Sequence, residues 1–469
     1  GADWRPSKRG YPKIGSLPFN MLLAWVILLI VTISALNDFK KTVLIWMPVQ
    51  MLFNAQIALK YSSPAMSLNL GVSVVLVFLY FLKNKTKKNT DSDIFILSTP
   101  FLGYIFSYLL SFSNSIVPIS AGLNSAIKFF LMTFGINYVF QKVITTQEDI
   151  RIFIKTSLII VFLIVGLAIF ESIFHDNPVL DYVYYHSPQD ETTKGRMWYI
   201  PPSIRGTMAM RYGMVRAYSF FGIPIEFGCA CAFLLFLYMI LYNEKFLTHL
   251  NINHKLILIA SILNFIGLFL ANSKTAYVGL IFLLFGMFKI KQILNIKVIL
   301  PTLILTFLFF YLFPNYLLNF TSLFNANIAE EGGGSTVQGR EMQFAVALKM
   351  FNMNPIFGNG PGSINILKQF GDNSDILGAE SSWMQILPER GIIGALAYIL
   401  FYISIFLKCT KYIPKRIISF LLIGLLVMET ATGTINGIYF MPVIIVIYKL
   451  YKIRKLSYAC RNHNNPQVN

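Results

Sequence analysis

Apolar stretches near 20 residues recur along the whole chain, at about 19–36, 42–61, 66–82, 94–113, 120–140, 154–173, 222–242, 255–272, 275–290, 297–313, 391–408, 417–433 and 436–453. A helix of that length reaches across roughly 30 Å of hydrocarbon. The pattern therefore predicts an all-α polytopic protein of about 12–14 membrane-spanning helices. The 42–61 stretch is the irregular one, because Pro48, Asn54 and Gln56 interrupt it; a broken or re-entrant segment is expected there. Most polar intervals are short, and two are long: roughly His175–Phe221 and Pro314–Arg390. The chain accordingly divides into a polar basic segment (1–18), a first group of spans (19–174), a first long loop (175–221), central spans (222–313), a large loop (314–390), last spans (391–455) and a tail (456–469). Residues 1–18 lack the short apolar core and small-residue cleavage site of a secretory leader.

Composition agrees with lipid as the solvent. Of 469 residues 55% are hydrophobic and only 13% charged, against about 25% charged in soluble domains. The net charge of +18 on a soluble chain would point to nucleic acid. Here the cations sit mainly between apolar segments and no basic–aromatic interleaving resembles an RNA-binding module, so they read as topology signals and nucleic acid is not an expected partner. Cys229 and Cys231 lie within an apolar segment and read as core residues. No His, Cys or acidic cluster has ligand spacing, so neither a metal site nor a cofactor is expected.

The strongly basic connections are Lys83–Lys88, Lys289–Lys297, Lys408–Arg416 and Lys449–Lys455. With these on the cytoplasmic side, both long loops fall on the extracytoplasmic side and the C-terminus inside. Lys40 and Lys41 compete with the cations of 1–18, which leaves the first two segments unassigned. The loops nevertheless carry cations against the trend: Lys194, Arg196, Arg205, Arg211 and Arg216 in the first, and Arg340, Lys349, Lys368 and Arg390 in the second. They are either solvated or the counter-charges of an anionic ligand.

The large loop holds the densest motifs. Gly339-Arg340 opens a segment with Phe344, Ala347, Leu348 and Phe351 at helical spacing, which predicts an amphipathic surface helix of about three turns ending at Asn354-Pro355. Arg340 near its start would share an anion with the helix dipole. Gly358-Asn359-Gly360-Pro361-Gly362 is either a backbone cradle for an anion or a tight turn. Glu330–Ser335 reads as a flexible piece. Glu380, just before a predicted helix, is either a cap or a carboxylate able to act as general base. Lys274 sits in a turn between two spans. Lys128, Glu226 and Glu429 lie within apolar segments, where ionisable residues usually face a bundle interior or polar cavity.

Taken in order, these motifs resemble the superfamily of O-antigen polymerases and O-antigen ligases. Arg216-Ala217-Tyr218-Ser219-Phe220-Phe221-Gly222-Ile223-Pro224 is similar to that family's Arg-x-x-Gly-x-Phe-x-x-Pro, with Ser219 in place of glycine. Ser273-Lys274-Thr275-Ala276 stands where many members have Ser-Arg-Thr-Ala. Gly339-Arg340, Pro355–Gly362 and Glu380-Ser381 through Glu389-Arg390-Gly391-Ile392-Ile393-Gly394 follow. The resemblance covers roughly 216–440. It implies a fold similar to the GT-C type glycosyltransferases, and donor and acceptor oligosaccharides linked to undecaprenyl pyrophosphate in the bilayer. It also implies a chain-length regulator as a partner. Ligases carry His where this chain has Glu380, so the resemblance favours the polymerase branch, with Glu380 as base. Arg216, Lys274 and Arg340 would then hold the pyrophosphate, supported by Arg205, Arg211, Glu226 and Gly360. An O-antigen ligase-like transferase and a lipid-linked oligosaccharide flippase are the alternatives; a flippase predicts charges along a membrane-deep path and short outer loops.

Overall fold

The computed structural model describes residues 19–53, 57–60, 66–83, 99–186, 210–288, 308, 311–322, 325, 328, 337–364, 366, 381–432 and 437–464. Nearly all of the expected 297–313 span lies outside them, as do Lys194, Arg196, Arg205, Glu330–Ser335, Lys368 and Glu380.

The chain shuttles between two ends of one helical bundle. Helix α1 (Phe19–Asn37) starts where Asn20 Nδ2 donates to the Val183 carbonyl and finishes at the opposite end. There Asp38 caps α2 (Phe39–Val49). The break expected at 42–61 is real. Helix α2 stops just after Pro48, and a short antiparallel pair, β1 (Ala58–Lys60) and β2 (Met66–Ser67), turns the chain into α3 (Leu68–Lys83). The carbonyls freed by the break need partners in a dry interior. Asn69 Nδ2 supplies them, donating to the carbonyls of Gln50 and Phe53 at 3.2 and 2.6 Å. Lys83 then donates to the carbonyls of Ala35 and Leu36, so α2 and α3 enter and leave at one end.

Helix α4 (Thr99–Ser111) climbs to the other end, and α5 (Ile119–Phe129) returns through a π-turn at Phe130–Gly135 into α6 (Ile136–Val143). A Thr146/Asp149 capping box starts α7 (Gln147–Phe174), which crosses back to α8 (Pro178–Tyr185). A two-residue hairpin, β3 (Met210–Arg211) and β4 (Met214–Val215), leads to α9 (Pro224–Asn243), opened by proline in its first turn. Short α10 (Phe246–Leu250) precedes α11 (His254–Ala271) and α12 (Lys274–Met287). Helices α13 (Pro314–Thr321) and α14 (Val337–Met353) belong to the large loop. Helices α15 (Ser382–Cys409), α16 (Lys415–Thr432) and α17 (Gly437–Asn464) complete the bundle.

Helix α9 is apolar all round and is the buried centre, packed by α11, α12 and α17; nearly every residue from Phe227 to Leu241 is enclosed, the free thiols of Cys229 and Cys231 included. Peripheral helices do the opposite. Leu22, Trp25, Leu29 and Ile33 of α1 and Leu396, Leu400 and Leu407 of α15 are exposed, a surface suited to lipid. Six helices among the described residues, α1, Gly122–Val143, α7, α9, α11 and α15, are long and apolar enough to cross a bilayer, and α3 and α12 are shorter apolar helices. The protein is an all-α polytopic membrane protein.

The end bearing Lys83 uses its cations structurally. Arg416 donates to the carbonyls of Gly286 and Met287 that end α12, Arg454 pairs with Glu244 at 3.2 Å, and Lys40 pairs with Asp149 at 2.8 Å. The other end carries the loops.

Helix α15 bends at Gly391, whose φ of 62° lies in the left-handed region. A Cβ there would collide with the carbonyls of Ile356 and Pro355. Gly391→Ala should cost at least about 1–3 kcal/mol and lower the melting temperature in detergent. Gly166→Ala, where a Cβ meets nothing, should leave it unchanged.

Candidate functional site

The loop end gathers cations from separate parts of the chain. The β3–β4 turn is built on Tyr212 and Gly213, with φ of 51° and 76°, the type I′ geometry of a tight hairpin. It presents Arg211 on one strand and Arg216 just past the other. The segment after Arg216 is bolted to two helices. Ala217 N–H donates to the Leu270 carbonyl in the last turn of α11 at 2.9 Å. The Glu171 carboxylate of α7 accepts from Tyr218 N–H, Ser219 N–H and Asn177 Nδ2, each at 2.9 Å.

Ser219 itself has φ of 54°, in the left-handed region that glycine enters without strain. Here serine bears the strained backbone, and its hydroxyl donates to the Ile164 carbonyl at 2.6 Å. Glu171 was not among the residues singled out from sequence. An acid at the end of an apolar segment is the signal that marks it.

Lys274 reaches the same place from the α11–α12 turn. Asn272 ends α11 in the left-handed region, and the Ser273 side chain accepts from Ala276 N–H to cap α12, so Lys274 is the first residue of that helix. Its ammonium donates to the Ser322 hydroxyl at 2.5 Å, and Asn319 Nδ2 donates to Asn272 Oδ1 at 2.6 Å, which fixes α13 over the turn. Arg340 arrives on the first turn of α14.

These groups lie near enough to act on one another's charge. Burial, and then the positive charges of Arg211, Arg216 and Arg340, push the Lys274 ammonium down to about 8. Burial and Arg211 push Arg216 down to about 9. Arg216 Nε is enclosed without a hydrogen-bond partner among the described residues. Like charges held together beside a helix N-terminus make a site for an anion.

Other expected residues lie elsewhere. The buried stripe of α14 is Gln343, Val346, Ala347 and Met350, packed on Met384 of α15. Phe344 points outward, as apolar residues of a surface helix beside lipid do. The glycine loop packs against the α15 bend. Asn359 N–H and Nδ2 donate to the Pro388 carbonyl, Gly360 N–H to the Glu389 carbonyl, and Gly362 N–H to Glu389 Oε1 at 2.8 Å. The amides of Asn359, Gly360 and Gly362 are thus used internally. Glu226 lies with Lys128 and Glu429 around a separate cavity.

An all-α polytopic membrane protein that gathers cations where its loops meet is suited to an anionic, membrane-borne ligand. A family profile described as O-Antigen ligase matches residues 259–399, so this part of the chain is similar to the O-antigen ligase/polymerase superfamily. The match supports a glycan transferase of that general type, and the matched residues include Lys274 and Arg340. No curated protein matches the chain.

Two outcomes test the site. Affinity for pyrophosphate should fall as pH rises from 7 to 9, because Lys274 loses its proton near 8. Lys274→Met should lower affinity roughly 10–100-fold at pH 7, the range of a hydrogen bond to a charged group, and flatten the profile, as titration calorimetry would show. Glu171→Gln should also weaken binding at least about tenfold if the carboxylate positions Arg216. Simple charge removal beside a cationic site would strengthen it.

Proposed function

We propose that the chain is a polymerase of an O-antigen-type or capsular surface polysaccharide, joining undecaprenyl-pyrophosphate-linked repeat units. The observation that carries this reading is the convergence of Arg211, Arg216, Lys274 and Arg340 at the loop end. A departing lipid pyrophosphate concentrates negative charge, and fixed cations aimed at that charge lower the barrier.

In this reading the acceptor hydroxyl of one lipid-linked unit attacks the anomeric carbon of the lipid-linked growing chain. The new glycosidic C–O bond forms as the bond to the pyrophosphate oxygen breaks. The electron pair leaves with the pyrophosphate, which the cations hold. Glu380 accepts the hydroxyl proton, the anomeric centre inverts, and the cations do the work a metal would otherwise do. The face is extracytoplasmic, because Lys83, Arg416 and Arg454 mark the opposite end as cytoplasmic. A chain-length regulator would act on this product.

The description of the matching profile favours one second reading, transfer of finished glycan to a lipid A-core acceptor. Purified protein given lipid-linked repeat units alone, with EDTA present, should produce a ladder of longer chains on a gel. Glu380→Gln should lower the rate at least about 10²-fold, as loss of a general base does, with the melting temperature retained. Product only when lipid A-core is added would establish the ligase, and no product under either condition would remove both readings.

A further inference from the structure

A cavity of about 300 Å³ opens between α4, α5, α9, α15, α16 and α17, apart from the cation cluster. That is the lower edge of the size range of small-molecule sites, room for one ring and not a chain. Arg390 lines it and is 4% exposed, its guanidinium centred 4.7 and 4.3 Å from the rings of Tyr104 and Tyr108. The rings fix the side chain but leave Nε and Nη1 without hydrogen-bond partners among the described residues. The Ser382 hydroxyl, 2% exposed on the same wall, also has no hydrogen-bond partner among the described residues. Buried donors of this kind mark a missing acceptor.

The carboxylates of Glu226, Glu389 and Glu429 face the same space and accept hydrogen bonds. Glu389 Oε1 already accepts from Gly362 N–H and Glu429 Oε2 from the Tyr398 and Tyr402 hydroxyls, so a ligand must offer acceptors to Arg390 and Ser382 and can add hydroxyl donors at the carboxylates. An anion would meet three acids, and a cation would meet Arg390 and Lys128. We infer that this cavity is a subsite for one neutral sugar ring.

The assignment rests on the glycan-transfer reading for its ligand class, but its test needs no turnover, so failure of chain elongation and failure of the cavity are read apart. Saturation-transfer NMR on the purified protein in nanodiscs would use methyl glycosides of neutral hexoses and N-acetylhexosamines, with methyl glucuronide for comparison. At least one neutral glycoside should bind saturably and more tightly than the glucuronide. Thr133→Leu, which fills the cavity from the π-turn side, should weaken that binding at least tenfold, and the smaller change Ser382→Ala should weaken it severalfold, each at an unchanged melting temperature. The inference is overturned if no neutral glycoside saturates, if the glucuronide binds best, or if Ser382→Ala and Thr133→Leu both bind as wild type.

Discussion

One oxygen of the Glu171 carboxylate takes three hydrogen bonds, two from consecutive backbone amides of the Tyr218–Ser219 turn and one from Asn177. That turn carries Arg216 into a place already occupied by positive charge. Cations brought together without an anion repel one another, so something else must hold them there. The fold does so by fixing each carrier separately. The Arg216 segment is fixed by Glu171 and the Leu270 carbonyl, Lys274 by the Ser273 cap, and α13 by Asn319 and Ser322. The strain at Ser219 is a local cost of this arrangement.

The two ends of the bundle use the same residue types for opposite ends. Lys83, Arg416 and Arg454 cap helix carbonyls or meet a carboxylate, and their charge is spent on the scaffold. At the loop end, the charges of Arg211, Arg216 and Arg340 act on Lys274, and that repulsion favours an incoming anion. Composition cannot separate these roles, because both are simply Lys and Arg between apolar segments.

Much of the architecture was legible in the sequence because lipid imposes a strict length on apolar segments. The break after Pro48 was legible too, since proline and buried amides do not continue a helix. Which side of α14 packs on protein was not legible. Apolar residues usually mark the inner face, but beside lipid Phe344 can face outward while Gln343 faces protein. For the site, sequence motifs pointed to Arg216, Lys274 and Arg340 one at a time. Arg211 was named only as support; the two-residue hairpin that brings it there, and the packing of α15 on α4 that sets Arg390 between Tyr104 and Tyr108, are tertiary features. Neither follows from local pattern. Glu380 and Arg205 lie outside the described residues, so their roles rest on the resemblance and on chemistry.

The central claim is that the converging cations form one pyrophosphate site. The most direct measurement is an electron cryo-microscopy structure of the protein in nanodiscs with undecaprenyl pyrophosphate bound. The account predicts phosphate density within hydrogen-bond reach of both Arg216 and Lys274, with Arg211 and Arg340 flanking it. Pyrophosphate density elsewhere in the protein, out of reach of Arg216 and Lys274, would contradict it.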